Sequence, residues 1–216
     1  MQGADRNEGG RRTLMLVDGH GLAYRAFHAL PDTLATSAGE PTNAVFGFTA
    51  MLLEVLRAFQ PDYAVVCFDS GRTFRHDVYA EYKAHRPEMA DDLRQQMERI
   101  RQVLDALQIP ILEKEGYEAD DLIGSLAAFA HRGGLDVVIV TGDNDLLQLA
   151  RDGVRIVLPG RQRFGEFRVF DRDAVIERYG FEPERIPEFK ALVGDTSDNI
   201  PGVPGIGEKT ATRLIQ

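Results

Sequence analysis

The sequence predicts an α/β fold in which a central, mostly parallel sheet is flanked by helices. Short β-branched runs alternate with longer segments of helical periodicity, which is the arrangement expected of such a fold. The chain has 216 residues, of which 44% are hydrophobic and 27% charged, so it is long enough to bury one sizeable core. Disordered and fibrous classes are therefore not expected.

The sequence also indicates a compartment. It holds no apolar stretch of about 18 residues, the length that a membrane-spanning helix needs. Its one cysteine, Cys67, lies in an apolar run and cannot form an intrachain disulfide. We therefore expect a protein of the reducing cytoplasm that makes no contact with a membrane.

The first half of the predicted sheet follows a polar leader. Residues 1–12 are rich in glycine and charge and are expected to be flexible. Residues 13–17 are apolar and form the first strand. Residues 43–59 carry apolar side chains at a spacing of three and four, which predicts a helix with one buried face. Residues 63–68 then form the second strand.

Two helices and a third strand continue the alternation. Residues 91–107 have apolar side chains every three or four positions, and residues 119–131 form a helix that Gly133 closes. Residues 137–141 form a buried strand. The core, residues 13–193, is completed by strands at 154–158 and 167–170 around a glycine turn, a helix that opens at Asp171 and a helix at 184–193.

Carboxylates follow three of these strands, at Asp18, Asp69 and Asp143. Because the carboxyl ends of parallel strands meet at one edge of a sheet, we expect these side chains to converge. Each acid alone is explained equally well as a helix cap or a turn residue. Six more lie in loops or at a helix start, namely Glu118, Asp120, Asp121, Asp145, Asp195 and Asp198.

Nine like charges in one cleft would repel one another unless cations neutralise them, which favours a metal site over nine separate caps. Oxygen ligands without histidine or cysteine predict Mg²⁺ or Mn²⁺ rather than Zn²⁺. Nine acids exceed the needs of one ion, so we expect two ions about 3.5 to 4 Å apart that act on a phosphodiester. The nine acids account for the whole net charge of −9, so the rest of the chain is neutral. The acidic balance of the sequence therefore does not exclude a nucleic-acid partner.

Residues 72–86 carry a local surplus of two positive charges, with tyrosines and histidines interleaved. The segment follows Asp69 closely, so its basic and aromatic groups are expected to lie over the acids and to hold phosphates and stack on bases. The candidate DNA-binding residues here are Arg72, Arg75 and Tyr82. The alternative is a solvated helix face with charge pairs along it.

The last residues, 194–216, are rich in glycine and proline and lead into a helix that starts near Glu208. Their backbone N–H groups lie just before a helix N-terminus, which suits binding of a DNA phosphate. A purely structural turn is the alternative. The spacing fits neither a P-loop nor a dinucleotide-binding motif. The candidate DNA-binding residues are Gly202, Gly205, Gly207, Lys209 and Thr210.

These motifs together resemble the 5′ nuclease (flap endonuclease, 5′-3′ exonuclease) domain at the N-terminus of bacterial DNA polymerase I. The resemblance covers the chain from about Thr13 to Gln216. It is carried by Leu-Val-Asp-Gly-His-Gly at 16–21, Phe-Asp at 68–69, Gly-Tyr-Glu-Ala-Asp-Asp at 116–121, Thr-Gly-Asp-Asn-Asp at 141–145 and Gly-Asp-Thr-Ser-Asp-Asn at 194–199.

The resemblance implies roles for individual residues. Lys83 and Arg86 match a basic pair on a helical arch, at about residues 72–100, which steadies the scissile phosphate. The glycine hairpin, the start of a helix-hairpin-helix element, is implied to grip duplex DNA around a K⁺ ion. Asp121 and Asp195 are implied to support the metal ligands. One metal is implied to lie on Asp18, Asp69, Glu118 and Asp120, and the other on Asp143, Asp145 and Asp198.

The implied activity is structure-specific hydrolysis of DNA at 5′ ends and flaps during replication and repair, with RNA primers as a further substrate. The implied protein is a monomer of the cytoplasm and nucleoid, with a polymerase fused in the full-length protein. Because the chain ends at Gln216 inside a helix, we expect the helix-hairpin-helix element to be truncated. Two alternatives stay open: a DNA-binding module that has lost catalysis, and a ribonuclease of the PIN type.

Overall fold

The structure is a computed structural model that describes residues 10–160 and 165–216. Most of the expected flexible leader, and most of the glycine turn between the strands predicted at 154–158 and 167–170, lie outside the described residues. The strands are β1 (Thr13–Asp18), β2 (Tyr63–Cys67), β3 (Ile111–Leu112), β4 (Asp136–Val140), β5 (Val154–Pro159), β6 (Phe167–Phe170), β7 (Gly194–Asp195) and β8 (Ile200–Pro201). The α-helices are α1 (Gly19–Ala29), α2 (Asn43–Phe59), α3 (Phe74–Val78), α4 (Asp91–Ala106), α5 (Ala119–Arg132), α6 (Arg172–Tyr179), α7 (Ile186–Val193) and α8 (Glu208–Ile215). Short 3-10 helices lie at Asn144–Leu149 and Pro183–Arg185.

The central sheet has six strands in the order β3-β2-β1-β4-β5-β6. All neighbours are parallel except β5 and β6, which are antiparallel. The predicted class, a mostly parallel sheet flanked by helices, is confirmed. The register places Asp18 beside Cys67 and Val17 beside Val140, so the carboxyl ends of β2, β1 and β4 are level with one another.

The two faces of the sheet carry separate apolar layers because successive side chains of a strand point to opposite faces. In β1, Met15 and Val17 pack with α1, α2 and α4, whereas Leu16 packs on the other face with α5. All three side chains are fully buried. The result is a sheet between two layers of helices, with the loops after β2, β1 and β4 gathered at one edge.

The structure differs from the predicted elements at several points. Strand β3, the β7–β8 hairpin and the 3-10 helix at Asn144–Leu149 were not predicted. Helix α1 was not predicted, because glycines at its first and third positions resemble a turn. The predicted helix at 184–193 is a 3-10 turn followed by α7. Within the predicted helical arch, only α3 and α4 are α-helical, and residues 79–90 between them form turns and irregular backbone. No helix among residues 10–160 and 165–216 is both long and apolar enough to cross a membrane.

Candidate active site

Asp18 is positioned by the junction of β1 and α1. It caps α1, since its carboxylate accepts from the N–H of Gly21 at 2.8 Å, and the Thr141 hydroxyl donates to it at 3.0 Å. A Cβ at residue 21 would lie 2.1 Å from a carboxylate oxygen of Asp18. Gly21, which made α1 hard to predict from the sequence, therefore lets the helix backbone approach this acid without displacing its carboxylate.

The other strand ends bring in acids from the same edge. The carboxylate of Asp69, after β2, accepts from the N–H of Ala119 at 2.7 Å and so fixes the start of α5 beside it. The same helix start presents Glu118 and Asp121, which form its capping box. Asp143, after β4, caps the 3-10 helix by accepting from the N–H of Asp145 at 2.8 Å.

The acids influence one another's ionisation, as expected of a converging cluster. Burial raises the pKa of Asp18 to about 6, with further contributions from Asp69 and Asp143. Burial, reinforced by the carboxylates of Asp18 and Asp143, raises the pKa of Asp120 to about 8. Buried carboxylates with raised pKa values are typical of functional sites.

A second group of acids lies where the 3-10 helix meets the β7–β8 hairpin. Asp145, Asp195 and Asp198 each offer a carboxylate oxygen, and these atoms lie within 4.8 Å of one another. Burial and the neighbouring Asp143 raise the pKa of Asp145 to about 6. Burial acts to raise the pKa of Asp195 as well, but hydrogen bonds from Lys190 and Ser197 outweigh it and lower this pKa to about 2.

Four cationic side chains pair with five of the six acids that lie in loops or at a helix start, the exception within the described part of the chain being Asp120. Arg75 donates two hydrogen bonds to Asp121, at 2.7 and 2.8 Å. Lys83 donates to both carboxylate oxygens of Glu118, at 2.9 and 3.0 Å. The remaining pairs are Arg86 with Asp198 at 2.8 Å, Lys190 with Asp195 at 2.7 Å, and Lys190 with Asp145.

Lys190 and His20 are residues that the sequence reasoning missed. Lys190 lies on α7 and reaches both Asp145 and Asp195. The signal was present, because the predicted helix at 184–193 brings a lysine to within two turns of the Gly194-Asp195 motif. His20 accepts from the N–H of Asp69 through Nδ1 at 3.0 Å, and burial lowers its pKa. This histidine therefore orients the Asp69 backbone as a neutral ring.

Most of the acids line a cleft of about 360 Å³, together with Arg75 and Lys83. A larger cleft of about 500 Å³ lies at the opposite end of the strands, where its described lining includes five arginines and five aspartates, so its charges balance. The acids at the carboxyl edge offer only oxygen donors, and several have raised pKa values, so they fit divalent cations. The larger cleft, in which positive and negative charges balance, favours neither a cation nor an anion.

The sequence matches known families over both of its parts. Residues 13–180 match the family described as 5′-3′ exonuclease, N-terminal resolvase-like domain, and residues 181–216 match 5′-3′ exonuclease, C-terminal SAM fold. The chain belongs to the 5′-3′ exonuclease family. DNA polymerase I of Chloroflexus aurantiacus is 53% identical over 208 residues, and that of Bacillus subtilis is 47% identical over 207 residues. The matched regions are 94% and 95% of this chain but 22% and 23% of those proteins, so the chain spans less than a quarter of these relatives.

Solved structures share the fold of this 5′-3′ exonuclease family member. The bacteriophage T5 flap endonuclease in complex with DNA and metal ions has a TM-score of 0.74 at 23% identity, and the match covers 94% of this chain and 74% of that one. The catalytic core of Rad2 in complex with DNA has a TM-score of 0.60 at 20% identity, with 95% and 61% covered. At these identities the likeness confirms the fold class.

The basic segment of this exonuclease-family chain differs from the expectation at Tyr82. Its side chain is 5% exposed, and its hydroxyl donates to Glu118 at 3.1 Å. The ring is therefore not available to stack on a base in this structure, because the segment folds down onto the acids. Arg72 is exposed and pairs with the exposed Asp77 at 2.7 Å. The N–H of Lys83 donates to the carbonyl of Asp198 at 3.1 Å, which ties the segment to the hairpin.

The glycines of the tail fall into two groups. A Cβ on Gly202 would lie 2.3 Å from the backbone of Val193, so close packing between chain segments accounts for this glycine. Gly205 and Gly207 are exposed, and Gly205 has a φ of +82° that favours glycine. Gly207 precedes α8, whose first turn carries the exposed Lys209 and the half-buried Thr210. The phosphate-binding role predicted for these five tail residues stays a prediction.

Proposed function

We propose that the protein is a Mg²⁺-dependent, structure-specific 5′ nuclease that hydrolyses phosphodiester bonds of DNA at 5′ ends and flaps. The observation that carries the proposal is the convergence of acids at the carboxyl edge of β2, β1 and β4, where burial and mutual repulsion raise the pKa values of Asp18 and Asp120. A divalent cation stabilises buried carboxylates that otherwise repel one another, because it neutralises their charge. Family membership supports hydrolysis, and the solved relatives with DNA and metal ions support the partner and the cofactor.

The proposed ligands divide into two sets. Two bound ions would activate a water molecule and stabilise the charge that develops on the phosphoryl oxygens. Asp145 and Asp198, both assigned to the second ion, belong to the group of acids whose carboxylate oxygens lie within 4.8 Å of one another. Asp121 and Asp195 support the sets through their pairs with Arg75 and Lys190. The proposed sets are Asp18, Asp69, Glu118 and Asp120 for one ion, and Asp143, Asp145 and Asp198 for the other.

The cations of the basic segment act on the phosphate. Lys83 and Arg86 now pair with Glu118 and Asp198 at the cleft. A phosphodiester in the cleft offers them a competing anion, and we propose that they exchange a carboxylate for the scissile phosphate. The donors are then preorganised where negative charge develops.

The partners are proposals of the same kind. DNA junctions with a 5′ flap, and RNA primers, are the proposed substrates. Arg72, Arg75 and the tail residues contact the strand backbone, with a K⁺ ion at the glycine hairpin. Residues 13–193 form the proposed catalytic unit with an arch near 72–100, and residues 194–216 begin the helix-hairpin-helix element. We propose a monomer that works at the nucleoid in the cytoplasm, fused to a polymerase in the full-length protein.

The test compares cleavage of labelled 5′-flap DNA and single-stranded DNA in Mg²⁺ and in EDTA. The protein is expected to cut flap DNA only with Mg²⁺. The variant Asp143→Asn with Asp145→Asn is expected to lose cleavage, since it removes two ligands. Its matched control is Asp91→Asn with Asp173→Asn, which makes the same change of charge at side chains that are 91% and 90% exposed.

Two outcomes would contradict the proposal. Absence of Mg²⁺-dependent cleavage by the wild-type protein would reject a nuclease. Unchanged cleavage in the Asp143→Asn, Asp145→Asn variant would show that these acids hold no catalytic ion. DNA binding without cleavage would favour the alternative module that has lost catalysis, and preferential cutting of single-stranded RNA would favour the PIN-type ribonuclease.

A further inference from the structure

An exposed pair of aromatic rings lies beside the acid cluster. Phe74 and Tyr117 are 46% and 41% exposed, and their ring centroids are 5.8 Å apart with planes inclined at 59°. A cation lies over each ring. The Arg75 guanidinium is 4.7 Å from the centroid of Phe74, and Lys114 Nζ is 4.9 Å from that of Tyr117. We call these four side chains the aromatic platform.

The backbone fixes the platform. Thr73 and Gly116 form an isolated parallel bridge, and the N–H of Phe74 donates to the carbonyl of Gly116 at 3.1 Å. Gly116 has a φ of +82°, which favours glycine, and this turn presents Tyr117 beside Phe74. Two loops that follow different strands are therefore joined at this point, so the rings are held side by side by the fold.

The platform borders the proposed catalytic cleft. Tyr117 directly precedes Glu118, which is 8% exposed within the cluster. Arg75 connects the two regions, because it lies over Phe74 and also donates two hydrogen bonds to Asp121. Tyr82, the ring that the sequence favoured for stacking, is buried. Phe74 and Tyr117, in contrast, are exposed beside the acids.

We propose that the aromatic platform binds an unpaired nucleotide of the 5′ flap. This inference rests on the proposed function, since it assigns a place for the single-stranded arm of the same substrate. In a duplex, the faces of the bases are covered by neighbouring base pairs, so exposed rings select an unpaired base. The positive charges of Arg75 and Lys114 complement the phosphates on either side of the bound base. Stacking on a ring face does not depend on the identity of the base, which suits recognition by shape.

The experiment compares the wild type and a variant on two DNA substrates. The variant Phe74→Leu with Tyr117→Leu removes both rings and keeps apolar side chains. The two substrates are a 5′-flap DNA and the same DNA with abasic sites in the flap. Fluorescence anisotropy in EDTA measures binding separately from cleavage. We expect the wild type to bind the normal flap roughly fivefold to tenfold more tightly than the abasic flap, and the variant to bind both equally.

Two controls make the result specific. Phe129→Leu changes a ring on α5 that is 72% exposed and lies outside the platform, and it should keep the wild-type preference. Phe74→Tyr with Tyr117→Phe exchanges the two rings and should also keep it. In Mg²⁺, the leucine variant should show a raised KM for flap DNA with an unchanged kcat, because the rings position the substrate and do not react.

The outcomes separate this inference from the proposed function. A leucine variant that still prefers the normal flap would overturn the platform, as would a wild type that does not distinguish the two flaps. Loss of the preference in the exchanged-ring variant would also overturn it. If the wild type prefers the normal flap in EDTA but cuts nothing in Mg²⁺, the nuclease proposal fails and the platform stands.

Discussion

Replacing Asp120 should stabilise the metal-free protein at pH 8. Burial, reinforced by the charges of Asp18 and Asp143, raises the pKa of Asp120 to about 8. Between the ordinary pKa of an aspartate and this value, the folded state holds a proton that the unfolded state has released. Stability therefore falls as pH rises through this range and is lowest at its upper end. Asp120→Asn removes this pH-dependent loss.

The gain in the free energy of unfolding depends on the number of pH units between the ordinary pKa of an aspartate and the raised pKa of Asp120. Each pH unit corresponds to about 1.4 kcal/mol, and with allowance for relaxation around the charge we expect a gain of roughly 2 to 4 kcal/mol at pH 8. For a domain of this length, such a gain raises Tm by about 5 to 15 °C. Near pH 4, where the group is protonated in the folded state, the gain should be absent.

The assay is thermal unfolding between pH 4 and pH 8 in EDTA, repeated in Mg²⁺. In the proposed ligand set, a bound ion would neutralise the carboxylate that Asp120→Asn deletes, so the variant should also respond less to Mg²⁺ than the wild type. Asp121→Asn is the matched control at the next position. Its carboxylate has a lowered pKa because Arg75 donates to it, so this replacement should destabilise the protein above pH 4. A lower Tm for Asp120→Asn at pH 8 in EDTA would refute the reasoning.

Three further predictions concern other residues. Gly21→Ala should displace the carboxylate of Asp18, which a Cβ would approach to 2.1 Å, and weaken the Tm response to Mg²⁺; an unchanged response would contradict the steric argument. Lys190→Met should lower stability in EDTA by roughly 1 to 3 kcal/mol, because the carboxylate of Asp195 loses its cation, with urea unfolding as the measurement. Burial raises the pKa of the Cys67 thiol to about 12, so native protein at pH 8 should react with a maleimide far more slowly than protein in urea, and equal rates would contradict this.

Hydrophobic periodicity was enough to predict most of the fold. The helix at 43–59 has the predicted bounds, because a long segment with apolar side chains at a spacing of three and four indicates a helix with one buried face. The short strand at 167–170 also has the predicted bounds. Helix α1 could not be predicted in the same way. Gly21 lets the helix backbone approach the carboxylate of Asp18 in the folded chain, and helix propensity alone treats such a glycine as a helix breaker.

The acid cluster was predictable for a different reason. Parallel strands bring their carboxyl ends to one edge, so Asp18, Asp69 and Asp143 converge whatever the loops do. The partners of the acids were not predictable to the same degree. That Tyr82 is buried and Lys190 reaches Asp195 depends on how residues 79–86 and α7 pack against the hairpin. The helical spacing places Lys190 near Asp195, but no local pattern in the sequence encodes its reach to Asp145 or the contact of Tyr82 with Glu118.

The distribution of protein cations separates the acids into two electrostatic classes. Glu118, Asp121, Asp145, Asp195 and Asp198 each pair with a lysine or an arginine. Among the ion pairs found in residues 10–160 and 165–216, none involves Asp18, Asp143 or their neighbour Asp120, and the pair that involves Asp69 is with His20 at 3.3 Å, not with a lysine or an arginine. A divalent ion at the strand ends would therefore neutralise charges that no side-chain cation balances, whereas an ion among the paired acids must compete with Lys83, Arg86 or Lys190. In the proposed set of Asp18, Asp69, Glu118 and Asp120 only Glu118 pairs with a lysine or an arginine of the described residues, whereas in the set of Asp143, Asp145 and Asp198 two acids do. By this argument we expect the first set to bind its ion more tightly, and occupation of the second set to require release of Arg86 and Lys190.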